Sequence, residues 1–207
     1  MKLPNLSARR IFDVAIATAT LAATSPVLLA ASAAVYVSIG RPILFRQQRP
    51  GLHGAPFNLV KFRTMRTPNP GETAVRFDAQ RLCRVGRFLR STSIDELPTL
   101  WNVVKGDMRL VGPRPLLMQY LNRYTKEQAR RHEVKPGITG WTQVNGRNAL
   151  SWEDKFALDV WYVDHQSFRL DVEILARTAW KVISREGISQ EGQATMSEFL
   201  GAQPVNG

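Results

Sequence analysis

The hydrophobic pattern divides the chain unevenly. From Val14 to Gly40 no residue carries a charge, a run of 27. As one straight helix the run would measure about 40 Å, enough for a bilayer core of about 30 Å. Ser25-Pro26 interrupts it near the middle. A proline there removes one helical hydrogen bond and crowds the Ala22 carbonyl, which costs roughly 3 kcal/mol in a straight helix. In lipid the freed carbonyl needs another donor, and the Ser25 hydroxyl is within reach of that task. Each half, Ile11 to Thr24 and Pro26 to Ile39, is about 21 Å long and too short to span alone. The charges on both sides are positive. Lys2, Arg9 and Arg10 precede the run, and Arg41, Arg46, Arg49, Lys61, Arg63 and Arg66 follow it before the first acid, Glu72. Positive flanks mark the cytoplasmic side. The residues alone leave two arrangements open: a re-entrant helix that enters and leaves on one side, and a kinked transmembrane helix. A run of this length with no distinct cleavage site is a poor signal peptide.

Beyond Gly40 the pattern shortens. Pro42 to Arg46 and Phe57 to Met65 read as strands joined by a turn at Gly51, Gly54 and Pro56. Alternation in the second strand sets Lys61 and Arg63 on one face. Asp78 to Arg90 reads as a helix, with Leu82, Val85, Phe88 and Leu89 on one side and Arg81, Arg84 and Arg87 elsewhere. Such a basic amphipathic helix suits an anionic membrane surface or an ordinary solvated face equally. Further helices are predicted over Ser93 to Val104, Leu116 to Arg131, from a Ser151 N-cap onward, and over Asp171 to Arg185. Val111 to Pro115 reads as a rigid loop and Lys135 to Asn148 as mostly loop. The fold class is therefore α+β, mainly helical with a small antiparallel β element. Three regions follow: a membrane helix over 1–40, a body over 41–190, and a polar, loosely packed tail over 191–207.

Charge and cysteine content narrow the partners. Lys and Arg number 28 against 17 Asp and Glu, a net charge of +11. This points to a polyanionic partner: nucleic acid, anionic lipid or a phosphorylated substrate. The single cysteine, Cys83, excludes an intrachain disulfide and has the surroundings of a small buried residue. His53, His132 and His165 lack metal-ligand spacing. The five tryptophans suit a core, with some suited to a membrane interface.

One short stretch can carry chemistry. Asp95 and Glu96 are bracketed by Arg90, Arg109 and Arg114. Guanidinium groups grip phosphate oxygens, and a carboxylate holds Mg²⁺ or attacks phosphorus. The same stretch, Ser93-Ile94-Asp95-Glu96, also fits a helix capping box, and the two readings are compatible because a helix start binds phosphate.

Five stretches in order carry a resemblance. They are Arg10-Ile11-Phe12-Asp13 with Ser25-Pro26; Lys61-Phe62-Arg63-Thr64-Met65; Leu89-Arg90 with Asp95-Glu96-Leu97-Pro98; Gly106-Asp107-Met108 with Val111-Gly112-Pro113-Arg114-Pro115; and Lys135-Pro136-Gly137-Ile138-Thr139-Gly140-Trp141 running to Val144-Asn145-Gly146-Arg147. Over nearly the whole chain, they resemble the bacterial sugar transferases, the monotopic polyprenyl-phosphate phosphoglycosyl transferases. The resemblance implies a re-entrant helix broken at Ser25 and Pro26, interfacial amphipathic helices, and a place at the cytoplasmic face of a bacterial inner membrane. It implies transfer of a sugar-1-phosphate from a UDP-sugar to polyprenyl phosphate with release of UMP. Asp95 would be the nucleophile and Mg²⁺ ligand with Glu96 beside it, and Lys61, Arg90 and Arg114 would hold phosphates. Asp159, Asp171, Asn145 and Arg147 are further substrate-binding candidates. Two positions depart from the family pattern. Asp107-Met108-Arg109 replaces the usual Asp-Met-Ser and adds a cation near the site, and Cys83 stands where a hydroxyl residue is common. The ending from Arg185 to Met196 resembles members that handle a diacetylated bacillosamine-type sugar. The competing readings are a membrane-tethered nucleic-acid binder and a non-catalytic membrane scaffold. No nucleic-acid partner is expected, because the Phe57 to Met65 strand lacks interleaved aromatic and basic residues. The oligomeric state is left open.

Overall fold

The computed structural model describes residues 6–68, 78–146, 150–184 and 198–201. The chain opens with helices α1 (Leu6–Ala23) and α2 (Ser25–Ile39). They meet at 63°, and no single helix among the described residues is long and apolar enough to cross a membrane. The break falls where proline demands it. Pro26 occupies the first turn of α2, and the Ser25 hydroxyl donates to the Ala22 carbonyl at 2.8 Å, the partner expected from the sequence. Outward sides of the pair are apolar: Ile11, Leu29 and Val37 are exposed.

Strands β1 (Leu44–Pro50) and β2 (Pro56–Phe62) form an antiparallel hairpin, register Leu44 to Phe62 through Pro50 to Pro56. The first strand thus runs four residues further than predicted, because pairing with β2 continues until Gly51 turns the chain. Arg63 leaves the strand and donates to the carbonyls of Ile39, Arg41, Pro42 and Met65. It closes the end of α2 against the hairpin, so it does not share the fate of Lys61.

The predicted Asp78 to Arg90 helix is two helices, α3 (Asp78–Arg81) and α4 (Arg84–Ser91), split where Leu82 bridges to Met65. Cys83 is half-buried and caps α4, its sulfur accepting from the Gly86 amide at 3.2 Å. Gly86 is required by contact: a Cβ there would lie 2.0 Å from the Thr64 carbonyl oxygen. On α4 Phe88 faces outward, 60 % exposed, while Leu89 enters the core.

Residues Ile94–Thr99 form a 3₁₀ turn leading into α5 (Leu100–Lys105). The expected capping box is absent. Ser93 sits at φ 57°, and its side chain caps nothing, which leaves the Glu96 carboxylate available for another partner. Strand β3 (Arg109–Val111) pairs in parallel with β4 (Gly137–Thr139), an addition to the single antiparallel element expected. Gly112 and Gly137 permit this crossing, since a Cβ on Gly137 would stand 2.1 Å from the Gly112 amide. The glycines of the 137–140 stretch are therefore explained by backbone contact. What was expected to be mostly loop also contains α7 (Trp141–Asn145). The predicted helix over Leu116 to Arg131 is instead a 3₁₀ turn Met118–Arg123, the short α6 (Lys126–Ala129) and a 3₁₀ turn Arg130–His132. Extended Leu117 and Tyr124, with Thr125 capping α6, prevent a continuous helix.

Helix α8 (Trp152–His165) starts at the Ser151 cap as predicted, and α9 (Phe168–Ser184) starts three residues before the expected Asp171. The main core gathers Ala17, Leu59, Val103, Met108, Val111, Tyr162 and Ile174 from α1, the hairpin, α5, β3, α8 and α9. Part of the tail belongs to the body. Phe199 is 1 % exposed inside a cage of Tyr120, Tyr124, Trp152 and Phe156. The tail was expected to be loose because its composition is polar, but the Phe199 ring, together with Glu198 pairing with Arg123 and Gln119, anchors residues 198–201. Three tryptophans are not core residues: Trp101, Trp161 and Trp180 are exposed.

Candidate functional site

The site is built where β2 meets the turn at Ile94–Thr99. Asn102, fully buried, donates to the Asn58 carbonyl at 2.7 Å and accepts from the Val60 amide at 3.1 Å. Thr99 donates to the Val60 carbonyl at 2.9 Å. These bonds stitch the turn to β2 and fix Lys61 against Asp95.

Asp95 is 6 % exposed. Burial and the neighbouring Glu96 carboxylate push its pKa up to about 6, while Lys61, Arg90 and Arg114 pull against that rise. Lys61 is half-buried, and burial lowers its pKa. Glu96 pairs with Arg114 at 2.5 Å. Arg90 donates to the Thr64 hydroxyl at 3.0 Å. The structure therefore brings together Asp95, Glu96, Lys61, Arg90 and Arg114, the residues selected from the sequence as catalytic and phosphate-binding.

Arg114 sits between two prolines on a loop that is held from behind. Arg131 donates to the Arg114 carbonyl at 2.8 Å and to Asp159 at 2.7 Å. Arg49 reaches the Pro115 carbonyl at 3.4 Å. Asp159 also accepts from Thr142 at 2.6 Å and is 4 % exposed. It is placed behind the Arg114 loop in a buried pair, with its carboxylate already engaged.

Other candidates lie elsewhere. Asp171 accepts from the Tyr162 hydroxyl at 2.6 Å and from Arg109 at 3.1 Å. Arg109 also donates to Asp13 at 2.9 Å. The departure at Arg109 was expected to add a cation near the catalytic acids; instead Arg109 ties α1 to α9 between two buried acids. Asn145 donates to the Trp141 carbonyl at 2.8 Å and closes α7. Arg147 lies outside the described residues. His132 is half-buried, and desolvation lowers its pKa to about 4, so it is neutral; His53 and His165 are exposed.

Sequence reasoning missed the support residues: Arg49, Arg131, Thr64 and Asn102. Thr64 lies inside a quoted motif, but nothing in the pattern assigned it a role. Arg49 read only as one of the positive flanks of the apolar run, and Arg131 as a contribution to net charge.

Among the described residues no three His, Cys, Asp or Glu side chains gather as a metal cluster. Two adjacent carboxylates are a sufficient protein contribution for Mg²⁺, which takes one or two carboxylates and completes its shell with water and substrate phosphate. The donor set therefore fits.

Residues 4–185 match the family described as bacterial sugar transferase. The chain belongs to that family. This transferase is 55 % identical over 198 residues to the uncharacterized sugar transferase EpsL of Bacillus subtilis, covering 96 % of this chain and 98 % of that protein. It is 38 % identical over 188 residues to the UDP-glucose:undecaprenyl-phosphate glucose-1-phosphate transferase of Caulobacter vibrioides, covering 86 % of this chain and 70 % of that one. It is 36 % identical over 197 residues to the undecaprenyl-phosphate galactose phosphotransferase of Salmonella typhimurium; there the match covers 86 % of the transferase but 41 % of the longer relative.

Proposed function

We propose that this transferase moves a sugar-1-phosphate from a UDP-sugar to undecaprenyl phosphate through a covalent intermediate on Asp95, with release of UMP. The observation that carries the reading is a buried carboxylate whose pKa of about 6 leaves it mostly ionised at neutral pH, faced by Lys61, Arg90 and Arg114. The named activities of the Caulobacter and Salmonella relatives support it.

In the first step an Asp95 carboxylate oxygen attacks the β-phosphorus. The bond from that phosphorus to the bridging oxygen breaks, and UMP leaves with the electron pair. Asp95 then carries the phospho-sugar as an acyl phosphate. In the second step a phosphate oxygen of undecaprenyl phosphate attacks the same phosphorus, and the Asp95 carboxylate departs unchanged. Lys61, Arg90 and Arg114 hold the phosphate oxygens through both steps, and the Glu96 pair sets the direction of Arg114. Mg²⁺ bound by Asp95 and Glu96 would neutralise developing phosphate charge.

The bent α1–α2 pair enters and leaves on one side as a re-entrant helix, with the body on the cytoplasmic face. Its length, its 63° bend and its basic flanks support this placement. The outward Phe88 and the arginines of α4 suit the headgroup layer. The test is to incubate the detergent-solubilised protein with Mg²⁺, undecaprenyl phosphate and a panel of UDP-sugars, a bacillosamine-type donor included. UMP release identifies phospho-sugar transfer and its donor. UDP release instead, or no nucleotide release from any donor, would sink the reading.

A further inference from the structure

Arg49, at the end of β1, is the charged residue near the site that the mechanism above leaves unused. Its guanidinium is half-buried beside Arg114, close enough for the two positive charges to repel, and it is among the charges felt by Lys61. Its hydrogen bonds are neutral: Gln47 at 2.6 Å and the Pro115 carbonyl at the long distance of 3.4 Å. Its Nε is buried and has no partner. Among the described residues it makes no ion pair. Two tyrosines, Tyr120 and Tyr124, are close enough to act on its charge, and burial raises the pKa of Tyr124.

A buried cation without a counter-ion, set next to another cation, is unfavourable. Arg109 is matched by Asp13 and Asp171 and Arg131 by Asp159; the half-buried Arg10 and Arg63 spend their N–H groups on backbone carbonyls. Simple anchoring of the Pro115 carbonyl does not require a charge. A fork with a free N–H, held next to Arg114, is what an anion with several oxygens would engage.

We propose that Arg49 is a further substrate-binding residue, which donates to a phosphate of the bound substrate from beside the Arg114 loop. The inference rests on the reading of the site as a phosphate-transfer centre. The shared chemistry is a phosphoryl oxygen. It comes either from the pyrophosphate of the nucleotide sugar or from the head of the lipid acceptor.

The experiment uses the full-length protein in detergent with Mg²⁺ and measures thermal stabilisation by inorganic pyrophosphate and, separately, by undecaprenyl phosphate. Variants are Arg49→Gln, Arg49→Lys and, as a control on the exposed part of the same strand, Arg46→Gln. For one of the two anions, Arg49→Gln should weaken apparent binding about 10- to 100-fold, the loss of one charge-assisted hydrogen bond. Arg49→Lys should recover part of it, and Arg46→Gln should match wild type. Loss for pyrophosphate assigns Arg49 to the donor, and loss for the lipid assigns it to the acceptor. Unchanged binding of both anions in Arg49→Gln, or in Arg49→Lys should Arg49→Gln fail to fold, would overturn the proposal. So would a wild type that binds neither anion. A wild type that binds the anion through Arg49 yet releases no UMP from any donor sinks the transfer reading alone.

Discussion

Two acid–arginine clusters in this transferase share residue types and differ in physics. In one, Arg109 lies between Asp13 and Asp171, with Tyr162 donating to Asp171 and Arg9 within 4.0 Å. Its carboxylates are 2 % and 3 % exposed and its charges are matched. In the other, Asp95 is nearly as buried, but it lies against a second carboxylate, and its pKa rises to about 6. The first cluster joins α1 to α9 with its carboxylates faced by Arg109 and Arg9, although the buried Nε and Nη2 of Arg9 have no hydrogen-bond partner. The second is frustrated: acid against acid, Arg49 against Arg114. Clusters that perturb their own members are the ones suited to chemistry.

The sharpest way to break the comparison is Asp95→Asn. UMP release should fall by at least about 10³-fold. The same change should stabilise the fold at neutral pH. Because the folded-state pKa lies above the ordinary value, the ionised Asp95 disfavours the folded state, and stability declines as pH rises from about 4 to about 6. A neutral amide removes that cost, so unfolding at pH 7 should require about 2–3 kcal/mol more. A gain in Tm together with lost turnover is the signature. Lost turnover with a lower Tm would mean that Asp95 is structural.

In the matched cluster the same kind of truncation should do the reverse. Arg109→Ser leaves Asp13 and Asp171 short of a cation. It should destabilise by about 3–5 kcal/mol in denaturant unfolding, with little change in KM for the UDP-sugar in the fraction that remains folded. Arg114→Ala should act oppositely, cutting kcat/KM about 10²-fold with little loss of stability, since its partner Glu96 is partly solvated. A large KM change in Arg109→Ser would place that residue at the site after all.

Between these effects lies a pH dependence. Turnover requires ionised Asp95, so the rate of UMP release should fall by half near pH 6 and continue downward below it. The Tm, followed in parallel, should not fall over the same interval, because protonating Asp95 favours the folded state. A rate that stays flat down to pH 5 would remove Asp95 from the rate-determining chemistry.

How much of this was legible depends on the range of the interaction. Local rules carried the Ser25-Pro26 break with its Ser25-to-Ala22 bond, the Gly51–Gly54 turn and the Ser151 cap. The order of motifs carried Asp95, Glu96, Lys61, Arg90 and Arg114 to one place. Contacts set by tertiary packing were not legible. Arg131 and Asp159 are 28 residues apart, and Arg109 and Asp13 are 96 apart; nothing in a linear pattern says that a given arginine is already paired. Phe199 shows the same limit for apolar residues, because a single ring in a polar tail carries no periodicity. The β3–β4 pair was invisible because three-residue strands leave no alternation to count, and only the glycines that allow the crossing marked it.

The smallest expected effect tests the local rules themselves. Cys83 caps α4 with its sulfur, which accepts from the Gly86 amide at 3.2 Å and donates weakly to the Thr64 carbonyl at 3.7 Å. A thiol is a poor acceptor beside a hydroxyl, which is a preferred helix N-cap. Cys83→Ser should therefore stabilise by about 0.5–1 kcal/mol and leave UMP release unchanged. Its sharper use is against Gly86→Ala, three residues along the chain and opposite in sign. An added methyl at Gly86 meets the Thr64 carbonyl at 2.0 Å, so α4 must move, and with it Arg90, whose Nε is held by the Thr64 hydroxyl. If Cys83→Ser slowed turnover as Gly86→Ala should, the register of α4 on Thr64 would be set by the thiol rather than by the glycine contact.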